Sequence, residues 1–192
     1  MDRLIIGLVG EAGVGKGEIA RQLKENAFRY YSLSDSLRRI AADVGLSNDR
    51  EILIKLGNSL RERFGSDILA RGARRWVEAD KITRAVIDSI RNPAEVSFLQ
   101  RELGALVIGI TMSPEKRFQL ILERERPGDP QTWSEFLSVL RREQGIEEKS
   151  SGQQVQKCLE SADVILLNEG TIAELRNHAR ELLQTRGVSL FT

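Results

Sequence analysis

The sequence predicts an α/β fold in which five parallel strands form one sheet, covered by helices on both faces. Three observations carry this. Short apolar runs bounded by polar turns recur at Leu4–Val9, Phe28–Leu33, Ala85–Asp88, Leu106–Thr111 and Val164–Leu167. Stretches of helical period separate them, and strands that alternate with helices imply parallel pairing with both sheet faces buried. The first strand also runs directly into a glycine-rich loop, Gly10-Glu11-Ala12-Gly13-Val14-Gly15-Lys16-Gly17.

The helices are expected at Gly17–Lys24, Ser36–Val44, Arg50–Phe64, Ile68–Glu78, Pro93–Leu103, Pro114–Glu123, Thr132–Glu143, Gly152–Ser161 and Thr171–Gln184. Two stretches break the simple alternation. Residues 34–80 hold three helical patterns between the second and third strands. Residues 124–152 are polar and arginine-rich between the fourth and fifth. A chain of 192 residues suits one α/β domain. The expected core is therefore 1–33, 81–123 and 153–192, with one insert at 34–80 and a second at 124–152. Ligands of such sheets bind outside the carboxyl ends of the strands, and both extra segments follow a strand–helix unit that lets them arch over that edge.

Composition narrows the partners. The formal net charge is +1, so no strong field for nucleic acid or a membrane surface is expected. Cys158 is the single cysteine and cannot form an internal disulfide. It reads as a packing residue on a helix face. His178 is the single histidine, so neither a histidine metal cluster nor a histidine triad can be built. No apolar run is long enough to span a bilayer, and the first residues do not read as a signal peptide. A cytoplasmic protein, monomer or homodimer, is expected.

The frame Gly10-x-x-x-x-Gly15-Lys16 is a P-loop, the phosphate cradle of nucleotide-binding proteins. Glycines allow positive φ and bring backbone N–H groups close to phosphate oxygens. The following helix points its positive end at the same phosphates. Gly10, Gly13, Val14, Gly15, Lys16, Gly17 and Glu18 are the candidate ATP-binding residues, with Lys16 reaching the β- and γ-phosphates. Gly17 stands where a Ser or Thr hydroxyl usually ligates Mg²⁺. Glu18 is a candidate replacement ligand by proximity. An acidic residue in the first turn of a helix is equally explained by the helix dipole.

Four further stretches carry chemistry. In Leu33-Ser34-Asp35-Ser36-Leu37-Arg38, Ser34 or Asp35 reads as a helix N-cap, Asp35 as a group for a sugar hydroxyl or a proton, and Arg38 as a phosphate ligand. Arg61 is a second phosphate candidate, although either arginine also suits a solvated helix face. Val86-Ile87-Asp88-Ser89-Ile90-Arg91-Asn92-Pro93-Ala94-Glu95 sets a carboxylate at the end of an apolar strand, then an arginine, then a helix start. Asp88 is a candidate for holding Mg²⁺ through water or for taking a proton, and Arg91 for gripping a phosphate. The plainer alternative has Asp88 capping the next helix and Arg91 pairing with Glu95. Arg124 and Arg126 are the arginine candidates of the second insert, Arg117 is a weaker one, and Arg141 and Arg142 are later ones; Pro127, Gly128 and Pro130 set the loop between. Asn168 and Gly170 follow the last strand, where Asn-x-Gly with Thr171 as a helix cap is also ordinary turn chemistry.

A P-loop followed by two inserts resembles the nucleoside monophosphate kinase group over nearly the whole chain, which implies a P-loop NTPase three-layer sandwich, with 34–80 as the acceptor-binding insert and 124–152 as a lid over ATP whose arginines, Arg124 and Arg126, stabilise charge on the phosphoryl group in flight. Adenylate kinases likewise place Gly after the P-loop lysine, but carry Thr next, where this chain has Glu18. The 33–38 stretch resembles the acceptor-binding start of deoxynucleoside monophosphate kinases. Asp88 to Glu95 resembles a stretch of the phage-type enzymes. It is also similar to an Asp-Gly-Ile-Arg-Asn segment of archaeal adenylate-kinase-like proteins, with Ser89 in place of Gly. That archaeal resemblance is strongest in Asp129-Pro130-x-Thr132-Trp133-x-Glu135-Phe136. Ala162 to Thr171 resembles the last strand and turn of dephospho-CoA kinases, which implies that Asn168 and Gly170 contact adenine. Together these resemblances imply transfer of the γ-phosphoryl group of ATP, with Mg²⁺, to a nucleotide-like acceptor such as a (deoxy)nucleoside monophosphate. Dephospho-CoA is the alternative acceptor, and a non-catalytic ATP-binding sensor the alternative class. No Asn/Thr-Lys-x-Asp run that would read guanine is present.

Overall fold

The computed structural model describes residues 3–125, 128–145 and 149–188. Five parallel strands form one sheet: β1 (Leu4–Val9), β2 (Arg29–Ser32), β3 (Arg84–Ile90), β4 (Leu106–Thr111) and β5 (Val164–Leu167). Their spatial order is β2-β3-β1-β4-β5, so β1 is central. The chain moves to one side of β1 for β2 and β3 and to the other for β4 and β5. The carboxyl end of β1 is therefore the topological switch point, where open α/β sheets leave a crevice.

The helices among the described residues are α1 (Lys16–Glu25), α2 (Leu33–Asp43), α3 (Arg50–Phe64), α4 (Ile68–Ala79), α5 (Pro93–Leu103), α6 (Pro114–Glu123), α7 (Trp133–Gln144), α8 (Val155–Glu160) and α9 (Ile172–Thr185). Alternation along the strands divides the core, because successive side chains point to opposite faces. Ile5, Val9, Ala85, Ile87 and Val107 meet α2, α3, α4, α5 and α8. Ile6, Leu8, Val86, Ile108 and Ile110 meet α1 and α9. A small separate core of Ile121, Phe136 and Leu140 joins α6 to α7. Trp133 stacks on Phe136 at 5.1 Å and meets Phe118 edge-on at 5.4 Å. The segment that carries α7 thus has its own apolar anchor, apart from the two layers that sandwich the sheet. Cys158 is fully buried in the α8 face of the core, and burial pushes its thiol pKa upward.

Two expected boundaries move, each for a local reason. β2 ends at Ser32 and Leu33 already belongs to α2, because the Ser32 hydroxyl caps that helix by accepting from Asp35 N–H at 3.3 Å. The expectation of Ser34 or Asp35 as the cap is corrected to Ser32. β3 runs to Ile90, two residues beyond Asp88, with the register shifting where Gly7 faces Ile87 and Val9 faces Ile90. Ser89 takes φ 65° there, so the strand bends just after Asp88.

Candidate functional site

The loop after β1 curls over the start of α1. Gly10, Gly13 and Gly15 have φ of 149°, 93° and 101°. A Cβ on Gly10 would sit 2.4 Å from the Ile110 carbonyl oxygen, and one on Gly15 would sit 2.7 Å from Leu175 Cδ2. These positions demand glycine for both conformation and space. Asn168 Nδ2 donates to the Val14 carbonyl at 3.0 Å and pins the loop to the end of β5. Val14 itself is fully buried and contributes packing.

Lys16 is buried, and its amine donates to the carbonyls of Gly10 at 2.8 Å and Glu11 at 2.7 Å. Burial and the nearby Arg91 lower its pKa to about 8, with Asp88, Glu143 and Glu11 pulling the other way. Arg91 donates to the same Gly10 carbonyl at 3.1 Å. The loop thus gathers two cations on its own carbonyls.

Asp88 lies beside this loop, buried. It accepts from the Tyr30 hydroxyl at 3.1 Å and from its neighbour Ser89 N–H at 2.5 Å. Burial and the Asp88 charge raise the Tyr30 pKa, so the phenol stays a donor. Asp88 does not cap α5. Asn92 does, in a capping box with Glu95, behind Pro93. Glu95 Oε2 accepts from the backbone N–H groups of Arg91 and Asn92, so the carboxylate holds the Arg91 backbone rather than its guanidinium. The Asn92 side chain also donates to the Ser150 and Gly152 carbonyls, which ties the start of α5 to the chain just before α8.

A cavity of about 1030 Å³ opens over this edge of the sheet. Its floor is the loop from Ala12 to Glu18. Its walls include Asp88 and Arg91, Asp35 and Arg38 of α2, Arg124 at the end of α6, and Asn168. Leu33, Leu37, Leu53, Ile54, Gly57 and Leu69 close the end formed by α2, α3 and α4. The structure therefore gathers most of the sequence-derived candidates around one space.

Several carry partners that the sequence did not reveal. Arg61 reaches the cavity wall, but its Nε donates to Glu95 at 2.8 Å and both side chains are almost fully buried. It serves the core first, and the solvated-face reading of Arg61 is corrected. Asp35 and Arg38 pair with each other at 2.5 Å, exposed. Glu18 pairs with Arg21. Arg124 makes a two-pronged pair with Asp129, at 2.6 and 2.7 Å. Gly170 lies away from the cavity, and its carbonyl accepts from Lys116. Thr171 caps α9 in a capping box with Glu174, so the turn-chemistry reading suffices there. Arg117 is buried beneath the loop and so is not a lid arginine, while Arg142 pairs with Glu51 on the surface. Arg126 lies outside the described residues.

Glu143, near the end of α7, escaped the sequence reading. Its side chain is 2% exposed. Both carboxylate oxygens lie 3.4 Å from Ala12 N–H, Arg50 donates to Oε1 at 2.9 Å, and Arg117 donates to Oε2 at 3.4 Å. Arg117 is 2% exposed, lies over the Phe136 ring at 4.6 Å and reaches Glu11 at 3.6 Å. Its burial lowers its own pKa, which the two carboxylates offset.

The donor set suits a polyphosphate. Glycine backbone, a buried lysine and an arginine converge on the loop, and a helix N-terminus faces it. Among the described residues no group of three or more His, Cys, Asp or Glu side chains is placed to hold a metal. Mg²⁺ ordinarily keeps several waters and needs one or two carboxylates beside phosphates, so Asp88 and Glu18 fit such a role without a dedicated cage.

An apolar strand, a glycine loop ending in lysine and the sheet order β2-β3-β1-β4-β5 define a P-loop protein of the kinase-like class. Residues 9–136 match the family model of an AAA domain, and the chain belongs to that family and, by likeness over 94% of its length, to the UPF0200 proteins. The UPF0200 protein of Hyperthermus butylicus is 30% identical over 181 residues, 94% of each chain. That of Pyrococcus horikoshii is 29% identical over 94% of this chain and 96% of its own. Among solved structures, shikimate kinase from Acinetobacter baumannii in complex with shikimate superposes with TM-score 0.59 at 14% identity, over 97% of this chain and 93% of that one. TT1252 from Thermus thermophilus superposes with TM-score 0.60 at 18% identity, over 96% and 98%. At such identities these structures speak for the fold alone.

Proposed function

We propose that this protein transfers the γ-phosphoryl group of ATP to a nucleotide-like acceptor, with a (deoxy)nucleoside monophosphate as the first choice. The observation that carries this reading is the shared cavity. The phosphate loop with Lys16 forms its floor, and an insert lined by both apolar and charged side chains forms its far end. A module that only sensed ATP would not need the second half. Dephospho-CoA remains the alternative acceptor, and a cytoplasmic setting accompanies the reading.

In this mechanism the residues position and neutralise. Lys16 leaves the Gly10 and Glu11 carbonyls and meets the β- and γ-phosphates. Arg91, held by the Glu95 capping box, presents its guanidinium to the acceptor phosphate. Asp88, fixed by Tyr30, takes up the acceptor's proton, or would help to hold Mg²⁺. Arg124 closes from the lid, releasing Asp129 to do so, with Arg126 beside it in the lid sequence. Arg38 and Asp35 are the acceptor-side polar pair. Asp88 and Glu18 would hold Mg²⁺, which would supply neutralisation of phosphate charge.

Two predictions follow from the loop. Bound phosphates favour the protonated Lys16 amine and raise its pKa above about 8. ATP affinity is then full below pH 8 and weakens above it, by up to about tenfold per pH unit. Calorimetry from pH 7 to 9.5 reads this, and Lys16→Arg, always charged, flattens the profile. An equally flat wild-type profile contradicts the role given to the amine. Separately, a Cβ on Gly17 meets nothing within 4 Å. Gly17→Ser is therefore expected to fold as the wild type does and to halve, at least, the Mg²⁺ concentration needed for turnover. An unchanged Mg²⁺ titration means that water or Glu18 already fills that place.

The test of the whole reading is ADP formation from ATP and Mg²⁺ across ribo- and deoxynucleoside monophosphates and dephospho-CoA, with an acceptor-free blank. A rate that depends on one acceptor class supports the kinase and names its substrate. Tight ATP binding with no acceptor-dependent rate favours the sensor.

A further inference from the structure

The carboxylate of Glu143 sits where an anion belongs. It meets a backbone N–H of the phosphate loop, Ala12, and is flanked by Arg50 from the insert and Arg117 from α6. Lys16 and Arg91 share the loop's other side through the Gly10 carbonyl. Glu143 and Arg50 both line the cavity, whereas Arg117 lies beneath it and also binds Glu11. A buried carboxylate among cations neutralises a site that would otherwise hold uncompensated positive charge.

We infer that Glu143 holds the place of a phosphoryl group at the mouth of the phosphate loop, and that Arg50 is a further phosphate-binding residue that Glu143 hands over when nucleotide enters. This rests on the reading of the loop as an ATP site. Three segments meet at this one carboxylate: the loop, the insert through α3, and the lid through α7. An incoming phosphate repels Glu143 and recruits Arg50, so its arrival releases the lid from the loop and draws the insert toward it. Arg117 keeps its second partner, Glu11, and stays in place. The acceptor side is thereby completed only after the donor is present.

Calorimetric titration with ATP, inorganic tripolyphosphate and adenosine tests this on the full chain. Glu143→Gln removes the competing charge and is expected to tighten ATP and tripolyphosphate on the order of tenfold, leaving adenosine unchanged. Glu143→Asp, which keeps the charge but draws it back from Ala12, is expected to fall between the two and serves if the glutamine variant folds poorly. Arg50→Ala is expected to weaken ATP several-fold although, among the described residues, the Arg50 side chain bonds Glu143 and not the loop. Unchanged or weakened ATP binding in both Glu143 variants, or wild-type affinity in Arg50→Ala, overturns the inference while the ATP reading stands. Failure of the wild type and every variant to bind ATP overturns both.

Discussion

Lys16→Ala is expected to lower ATP affinity about a hundredfold and to abolish turnover. The amine now spends two short bonds on the Gly10 and Glu11 carbonyls, inside a buried loop. Exchanging those neutral acceptors for phosphate oxygens turns them into charge-assisted bonds, each worth about 1.5–3 kcal/mol. Losing two of them costs about 3 kcal/mol or more, and each 1.4 kcal/mol is about tenfold in affinity. Stability should change little, since burial and the nearby Arg91 disfavour the charge on Lys16 and lower its pKa. Calorimetry with ATP, paired with thermal unfolding, separates the two effects. Wild-type turnover in the variant contradicts the assignment of the phosphate loop.

Glu95→Ala is expected to have the largest effect on stability, about 3–5 kcal/mol. Glu95 is fully buried and is the partner of Arg61, itself 3% exposed on its side chain. Its other oxygen accepts the N–H groups of Arg91 and Asn92 at the start of α5. Removal therefore strands a buried guanidinium and two backbone donors at once. A domain has about 5–15 kcal/mol of total stability, so the loss is severe. Glu95→Gln keeps an acceptor for the backbone and loses only the charge, so its cost should be smaller. Denaturant midpoints for the two variants give the comparison. A loss under about 1 kcal/mol in Glu95→Ala means that the pair is not what holds α3 against α5. The same substitution should also loosen the turn that aims Arg91 at the loop, coupling stability to the site.

The parts of this site that were legible in the sequence are those whose geometry is set by neighbours in the chain. Gly10 to Lys16 is one: backbone conformation, glycine demand and helix start all fall within a few residues. The alternation of apolar strands and helical periods was equally readable, and α3, α5 and α6 fall on the residues expected. What escaped depends on contacts made at a distance. Glu143 meets Ala12 across 131 positions, and nothing around Glu143 in α7 marks it as more than another charged residue on a helix. Arg61 looked like a phosphate ligand or a solvated residue because the sequence could not show Glu95, 34 positions away, buried against it. Near Asp88 the competition was local but close. Ser32 and Asn92 took the caps expected of other residues, which left Asp88 to Tyr30. The carboxylate following Lys16, Glu18, was legible as a residue, but its pairing with Arg21 was decided by helix spacing that suits many surface pairs.

The central claim is that phosphoryl groups leave ATP for an acceptor and not for water. The most direct measurement follows a γ-labelled phosphate after mixing ATP, Mg²⁺ and the full chain with a mixture of nucleoside monophosphates. The account predicts label in a new phosphorylated nucleotide, absent with Lys16→Ala. Label that stays on ATP, or appears only as inorganic phosphate at a rate indifferent to acceptor, contradicts it.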